Sequence, residues 1–442
     1  MMLKSRTMAG TLLVAGLGTA LLLAAFTSNK KVITDTAECA PEETACIFKT
    51  VLGLEATGDP LVTRSRELVE SSIKKGISWI VEAQASNGGW GAGSHSQQDI
   101  RDPHAVPTDP ATTALVGMAL LRNGNTLNSG AYTKSLQKAL NYLLETVENT
   151  PDNAQFITQA QNTQPQVKLG RNIDAILTSQ FFTNTLHSME DYLKTNEALK
   201  ARIEKASKKC IAKIQQSQDT DGGWKDGGWA PVLQSTLANN ALETAKDAGI
   251  KVDDKALEKS RDYQKKNFDA KTNSAVTGDA AGVMLYSISG SARGAAKEAQ
   301  YAEVVVTAAK KSGKLKSEAK VDREALEKAG MSKAEAERYA TAYAIRDAAA
   351  KRAQDEDVLR GFGNNGGEEF VSFLMTGESL IISGDNSWKN WFEKTTGKLL
   401  QIQTNDGSWQ GHHCITSPVF CTATCLLILS IDKNIDFLVK MK

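Results

Sequence analysis

The stretch Lys75–Trp90, with the sequence KGISWIVEAQASNGGW, decides the fold because the chain repeats its core twice more. Gln84-Ala-Ser-Asn-Gly-Gly-Trp90 returns as Gln218-Asp-Thr-Asp-Gly-Gly-Trp224 and again as Gln403-Thr-Asn-Asp-Gly-Ser-Trp409. Each copy ends an apolar-periodic segment with a glutamine, crosses a glycine-containing turn and closes on a tryptophan. Self-similarity of this kind predicts a repeat architecture.

The composition describes an ordinary globular chain. Of the 442 residues, 41% are apolar and 23% are charged, and the net charge is only +1. This balance gives neither the electrostatic footprint of a nucleic-acid-binding protein nor a polybasic membrane patch. Only nine prolines occur, which suits a mostly helical chain because proline breaks helix interiors.

The N-terminus has the pattern of a secretion signal. Lys4 and Arg6 precede an apolar run over residues 11–26, which is short for a membrane span of about 20 residues. We therefore predict a signal or an uncleaved N-terminal anchor over residues 1–27 and a polar linker over 28–54. The protein is then exported, periplasmic or extracellular, and reaches a membrane only if the signal is retained.

The six cysteines are an even count, which in an exported protein suggests disulfides. Cys39 and Cys46 flank a short loop and could pair. Near the C-terminus, a Cys414–Cys421 disulfide could pin the last helix, with Cys425 close by. The connectivity stays open.

From residue 55 to 442 the chain alternates between two kinds of predicted helix. Long amphipathic helices are predicted at 63–84, 133–148, 192–218, 254–267 and 388–403. Shorter helices, apolar or rich in small residues nearly all round, are predicted at 109–123, 168–188, 231–247, 277–289, 367–384 and 416–431. Because all-round apolar helices must be buried, the alternation predicts an inner ring wrapped by an outer ring. The stretch 292–357 is predicted to be a charged helical insertion at the fifth outer position, either a solvated hairpin or a partner-binding arm.

The repeat resembles the Gln–Trp motif of squalene and oxidosqualene cyclases, which protein prenyltransferase β-subunits share in looser form. The resemblance implies the all-α fold of the terpenoid cyclase/protein prenyltransferase superfamily, an (α/α)6 toroid of two concentric helix rings. The glutamine would bridge free backbone groups at adjacent helix ends, and the tryptophan would pack over the junction. Trp90, Trp224 and Trp409 are also candidate substrate contacts.

The catalytic motifs of both families are incomplete. The proton donor of squalene–hopene-type cyclases lies in an Asp-x-Asp-Asp-Thr-Ala stretch, and the match here is Asp109-Pro-Ala-Thr-Thr-Ala114. Asp109 remains a candidate catalytic residue, but the proton-donating carboxylate falls at Ala111 and its neighbour at Thr112. Prenyltransferases hold zinc with an Asp-x-Cys pair that this chain lacks. The nearest zinc-competent residues are at 412–414, where a disulfide or packing is the preferred interpretation, so we expect no metal and no cofactor.

Paired acids open the fifth predicted inner helix. Glu368 and Glu369 either respond to the helix dipole or point into the cavity as a general acid or base, with Glu378 and Asp279 as possible partners. Asp174 is a candidate substrate contact, or pairs with Arg171 three residues earlier.

Two polar turns are expected at the same end of the ring. The loop 91–107 carries His95, Asp99 and His104, and the turn after the third repeat carries His412 and His413. Binding residues often lie on such loops, so these five are predicted substrate contacts at the mouth of the toroid.

The sequence therefore favours an exported, divergent squalene-cyclase/prenyltransferase-repeat protein with a central ligand cavity. Its ligand would be a small molecule, an isoprenoid or a glycan, and no nucleic acid is expected. Two alternatives stay open: a polysaccharide-active toroid enzyme using paired carboxylates, and a non-catalytic protein-binding module using the 292–357 stretch. Whether the chain is an enzyme is also open, because a fold does not fix a function.

Overall fold

The computed structural model describes residues 66–359, 366–384, 387–434 and 438. The predicted signal, the linker and the Cys39–Cys46 pair lie outside these residues. The helices are α1 (Arg66–Glu82), α2 (Pro110–Arg122), α3 (Thr133–Asn149), α4 (Gln164–Lys168), α5 (Ile173–Ser188), α6 (Glu190–Lys194), α7 (Glu197–Gln216), α8 (Pro231–Asp247), α9 (Asp254–Lys265), α10 (Met284–Lys311), α11 (Arg323–Ala329), α12 (Lys333–Arg352), α13 (Glu356–Leu359), α14 (Gly367–Ser383), α15 (Ser387–Ile402) and α16 (Pro418–Leu429). A two-residue hairpin pairs β1 (Phe268–Asp269) antiparallel with β2 (Ser274–Ala275), with Phe268 opposite Ala275.

An inner ring of helices closes on itself. Within the described residues, α2, α5, α8, α10, α14 and α16 contact one another in that order, and α16 contacts α2 again. These helices are buried nearly all round; in α2 every residue from Pro110 to Leu121 is buried. The all-round apolar character that predicted them is therefore explained by their central position.

An outer layer surrounds this ring. The amphipathic helices α1, α3, α7, α9, α12 and α15 each pack on inner helices, and α15 also contacts α1. The structure confirms the predicted all-α toroid. None of the helices in the described part of the chain is both long and apolar enough to span a bilayer.

The repeated tryptophans lie between the two layers. Each is at most 1% exposed, and each indole N–H donates to a carbonyl ten residues earlier in the outer helix. The three bonds are Trp90 to Ile80 (2.7 Å), Trp224 to Ile214 (2.7 Å) and Trp409 to Leu399 (2.8 Å). Packing and hydrogen bonding at the helix junctions therefore explain the positions of these three tryptophans, and no ligand contact is needed to explain them.

The repeated glutamines tie neighbouring outer helices together. The Gln84 amide donates to Gly88 O (2.8 Å) and to Ser135 O at the start of α3 (2.9 Å). Gly88 has a φ of 89°, a conformation that favours glycine. The third copy joins the end of the chain to its beginning, because Gln403 donates to Ser72 O in α1 (3.0 Å).

The fourth inner helix differs from its prediction. It begins at Met284 rather than near 277 and continues to Lys311, so the predicted boundary at 292 falls inside α10. Residues 292–300 are buried although Arg293 and Glu298 carry charges, because those charges are paired inside the protein. Beyond them, α11 and α12 pack on the second half of α10 around a small separate core that includes Val306 and Leu326.

Candidate functional site

Among the residues that the structure describes, a small cavity lies at the centre of the inner ring. Its volume is about 40 Å³, and side chains from all six inner helices line it, including Leu115, Leu177, Leu237, Leu374 and Phe420. Sites for drug-sized ligands commonly measure about 300–1,000 Å³. A cavity of this volume is large enough for a few water molecules.

Buried ion pairs occupy the wall of this cavity. Arg293 contacts Glu243 of α8 (3.2 Å) and Glu378 of α14 (3.0 Å), and Arg122 of α2 lies 3.8 Å from Glu378. Burial alone would raise the pKa of Glu243, but Arg261 and Arg293 hold it below its ordinary value. The charged side chains at the centre are therefore paired with one another, and these ion pairs link four inner helices.

The N-terminal end of the ring, where the mouth was expected, is covered by a segment that we call the plug, residues 162–169, which contains α4. Gln164, fully buried, accepts hydrogen bonds from Thr416 N (2.7 Å) and Ser417 N (3.0 Å), just before α16. Plug carbonyls also accept from Trp229 N (3.2 Å) and Ala230 N (3.1 Å), just before α8. The sequence did not indicate this helix, because five residues are too few to show a periodic signal.

Asp109 and Asp174 are buried side by side beneath the plug. Asp109 caps α2 by accepting from Thr112 N (2.7 Å), and it also accepts from Ala92 N (2.8 Å). Asp174 accepts from Ala111 N (3.0 Å) and from the side chain of Gln166 in the plug (2.7 Å). Burial raises the pKa of both carboxyls; that of Asp174 reaches about 7 because the charge of Asp109 adds to the effect of burial.

The expected ion pair between Asp174 and Arg171 does not form. The Arg171 guanidinium instead stacks over the Phe156 ring, 4.8 Å from its centroid. The reason is that Asp174 belongs to the first turn of α5, where the free N–H of Ala111 in the neighbouring helix and the Gln166 amide are within reach. At the positions where cyclases carry carboxylates, Ala111 and Thr112 are fully buried.

A cluster of ligand-type side chains lies on the rim, at the N-terminus of α14. Glu368 is 4% exposed and accepts from Ile415 N (3.2 Å). His413 Nδ1 lies 2.9 Å from Cys414 Sγ, and the carboxylate, imidazole and thiol atoms lie within 4.8 Å of one another. Burial raises the pKa of Glu368, and burial together with the Glu368 charge raises the pKa of Cys414 to about 11. The sequence did not indicate this convergence, since 45 residues separate Glu368 from His413.

The predicted Cys414–Cys421 disulfide is wrong. All four cysteines in the described part of the chain are free thiols, and Cys421 is buried with its thiol directed at Ile415 O (3.6 Å). Cys414 instead lies beside His413, with its Sγ 2.9 Å from the imidazole Nδ1.

The two histidine-bearing turns do come together, as expected. In the 91–107 loop, Arg101 donates to Gly411 O (3.0 Å) and to Thr416 O, and Gln98 Oε1 accepts from Cys414 N (3.0 Å). His95 is half-buried beside Gln98, and burial and the Lys168 charge lower its pKa. The remaining predicted contacts on these turns share one property, exposure to solvent: Asp99, His104, His412 and His413.

The other candidate carboxylates are dispersed. Glu378 belongs to the central ion pairs, whereas Asp279 accepts from the Tyr263 hydroxyl (2.7 Å) and pairs with Lys225 (3.2 Å) near the turn of the second repeat. Glu369 is buried in the first turn of α14. Glu368, Glu378 and Asp279 therefore have separate partners among the described residues.

Residues 47–161 match the family model described as Squalene-hopene cyclase C-terminal domain. No curated protein matches the chain in sequence. Two solved structures of the type II terpene cyclase MstE from Scytonema, one apo and one with merosterolic acid A, align with 84% of this chain and 98% of theirs. The identities are 12% and 13%, and the TM-scores are 0.32 and 0.30. The match over residues 47–161, together with the two helix rings, supports the squalene-cyclase-like terpenoid cyclase fold that the Gln–Trp repeat predicted.

Proposed function

We propose that this chain is an exported binding protein built on a squalene-cyclase-like toroid, and that it does not cyclise polyprenes. The observation that carries the proposal is the filled centre of the ring, where a cavity of about 40 Å³ is lined mainly by apolar side chains together with the ion-paired Arg293 and Glu378. A polyprene substrate would need several hundred Å³ of enclosed apolar space, as other small-molecule sites do.

The acidity of Asp109 and Asp174, the carboxyls that lie near the cyclase-motif position, supports the same proposal. Protonating an alkene needs a strong acid, but burial raises the pKa of Asp109 and Asp174, which makes them weaker acids. Both are also engaged with the N–H groups that begin α2. Their hydrogen bonds therefore support a role in fixing this helix rather than in donating a proton.

We place the binding surface on the N-terminal rim, outside the plug. The exposed side chains there are polar, including Asp99, His104 and His412, and one aromatic ring, that of Trp229, is 64% exposed. The Lys168 ammonium lies 3.8 Å from the centre of that ring and covers one face of it. A polar ligand fits this combination better than an isoprenoid, since functional loops recognise ligands through such accessible groups.

Export is part of the proposal and rests on Lys4, Arg6 and the apolar run at 11–26. Cell fractionation with intact-mass measurement separates the alternatives. A mature protein that lacks about 27 residues has lost a signal, whereas a full-length protein in the membrane fraction retains an anchor. Recovery of the full-length chain from the cytosol would contradict export.

Two assays test the function. Incubation with squalene and with oxidosqualene, followed by product analysis, should yield no cyclic triterpene. Native mass spectrometry of protein from the exported fraction should show a polar small molecule that Trp229→Ala releases and Leu374→Ala, in the centre, retains. A bound isoprenoid, or any cyclised product, would contradict the proposal.

A further inference from the structure

Three metal-ligating side chains from two segments meet on the rim. Glu368 lies in the first turn of α14, and His413 and Cys414 lie on the turn before α16. One ligand atom from each lies within 4.8 Å of the other two, and the imidazole nitrogen and the sulfur are 2.9 Å apart. A carboxylate, an imidazole and a thiol are the three ligand types that zinc uses in proteins.

We propose that Glu368, His413 and Cys414 form a Zn²⁺-binding site. Zinc–ligand bonds of about 2.0–2.3 Å in a tetrahedron place neighbouring ligand atoms roughly 3.3–3.8 Å apart. The observed spacings need small adjustments in both directions: the nitrogen–sulfur distance of 2.9 Å must open by roughly 0.5 Å, and a separation near the 4.8 Å limit must close by about 1 Å. A rotamer change of His413, whose side chain is exposed, can contribute to this adjustment.

The backbone around the three ligands is already held in place. Gly367 N donates to Ile415 O (2.8 Å), Ile415 N donates to Glu368 Oε2 (3.2 Å), and a Cβ at Gly366 would lie 2.3 Å from His413 O. Glycine at 366 thus permits the close approach of the two segments. Hydrogen bonds of this kind orient metal ligands before the metal arrives.

The conformation of Cys414 is a second, independent observation. Its φ is 68°, in the left-handed region that residues other than glycine rarely adopt. Its N–H is fixed to Gln98 Oε1 of the 91–107 loop at 3.0 Å. Backbone strain retained by surrounding structure is common at ligand clamps. Here it accompanies the placement of the thiol next to His413.

Three protein ligands indicate a metal ion with an open coordination position rather than a fully coordinated structural site. Three protein ligands leave the fourth position of a tetrahedron for water or another molecule, which is the arrangement of catalytic zinc sites. Glu368 and a Cys414 thiolate would neutralise the two charges of the ion. Lys168 lies within electrostatic reach of both and is the positive charge that a bound ion would face. This site goes beyond the proposed function and does not rest on it.

The test is a Zn²⁺ titration of reduced, tag-free protein against a chromophoric chelator. Wild type should bind one equivalent. His413→Ala and Cys414→Ser should each lower the affinity at least about a hundredfold, since even partners of ligands change it 10–100-fold. The matched control is His412→Ala, which removes an exposed neighbouring imidazole outside the cluster and should leave the affinity unchanged. Cys421→Ser is the control for a thiol.

Two further readouts separate coordination from folding. With Co²⁺ in place of Zn²⁺, wild type and His412→Ala should show the thiolate-to-cobalt charge-transfer band, and Cys414→Ser should not. Lys168→Met should tighten Zn²⁺ binding by about tenfold because it removes a nearby positive charge. The proposal falls if wild type binds less than one equivalent, if the exposed His413 can be replaced without loss, or if His412→Ala weakens binding as much as His413→Ala.

Discussion

Asp174 brings a titratable carboxyl group into a site from which water is excluded. It is 2% exposed, and its two oxygens accept from Ala111 N and from the Gln166 side chain. Neither donor carries a charge, so their hydrogen bonds only partly offset the cost of ionising a buried carboxyl beside Asp109. The local structure therefore favours the protonated form, which explains a pKa of about 7.

Replacing Asp174→Asn should change the pH dependence of stability. A carboxyl whose pKa is raised in the folded state stabilises the fold below its unfolded pKa, and that contribution is lost as the pH rises through about 7. We therefore expect the free energy of unfolding of wild type to fall from pH 5 to pH 8 relative to that of the variant. Between pH 5 and the folded-state pKa of about 7 the contribution falls by at most about 3 kcal/mol, at roughly 1.4 kcal/mol per pH unit.

Urea unfolding of both proteins at pH 5, 6, 7 and 8 measures this difference directly. Subtraction measures the titration of the Asp174–Asp109 pair, because Asp109 loses its neighbouring carboxyl in the variant, whereas carboxyls elsewhere titrate alike in both proteins. The exposed pair member Asp191→Asn is the control for a change of surface charge. A constant difference between wild type and Asp174→Asn over this range would show that Asp174 keeps the same charge throughout.

At the scale of the helix, the junction of the third Gln–Trp repeat links the last outer helix, α15, to the first, α1. Ser72 in α1 donates its hydroxyl to Gln403 Oε1 (2.8 Å), and the Gln403 amide returns a bond to Ser72 O. Gln403 also donates to Gly407 O within its own turn (2.8 Å). This one side chain thus connects the outer helix α15 to α1 and closes the outer layer of the ring.

Gln403→Ala should destabilise the protein by about 1–3 kcal/mol, because it leaves partly buried carbonyls at Ser72 and Gly407 without their side-chain donor. Urea unfolding measures the loss of unfolding free energy. Hydrogen exchange should show that amide exchange becomes faster mainly in α1 and α15. Gln401→Ala, an exposed glutamine two residues earlier in the same helix, should have no comparable effect. Equal losses in the two variants would mean that helix propensity, and not the junction, is responsible.

The helices that the sequence located well are those with both a periodic face and a local start signal. The prediction for 231–247 coincides with α8, where Pro231 occupies the first turn, and Asp109 caps α2 as expected. The plug and the start of α10 were not located. A five-residue helix has too few turns for a period, and Arg293 and Glu298 looked solvated because their partners are distant in the chain. The rim cluster was missed for the same reason, since Glu368 and Cys414 are distant in the chain and meet only because α14 and α16 are neighbours in the inner ring.

At the scale of the whole molecule, the ring is held together partly by charge. Arg293 lies in α10 and contacts Glu243 of α8 and Glu378 of α14, and Arg122 of α2 approaches Glu378. Arg293→Met should cost about 3–5 kcal/mol, because removing one partner leaves buried carboxylates undercompensated. Thermal and urea unfolding would show it. Arg323→Met, at an exposed ion pair, is the control and should change stability by less than about 1 kcal/mol.

The filled centre makes a further prediction about cyclisation. Ala111→Asp combined with Thr112→Asp would restore the carboxylates of the cyclase motif at the start of α2, and we expect this variant still to give no cyclic product from squalene. An acid alone cannot act when the cavity below it has a volume of about 40 Å³ and the plug covers the end above it. Both positions are fully buried, so the variant should also be less stable, and its helical content and melting midpoint must be recorded with the assay.

A second variant carries the same two aspartates together with Leu374→Ala and Phe420→Ala, which enlarge the central cavity, and it should be assayed beside the first. Cyclic product from the enlarged variant alone would identify space as the missing element, whereas product from the two-residue variant would overturn the argument from the filled centre.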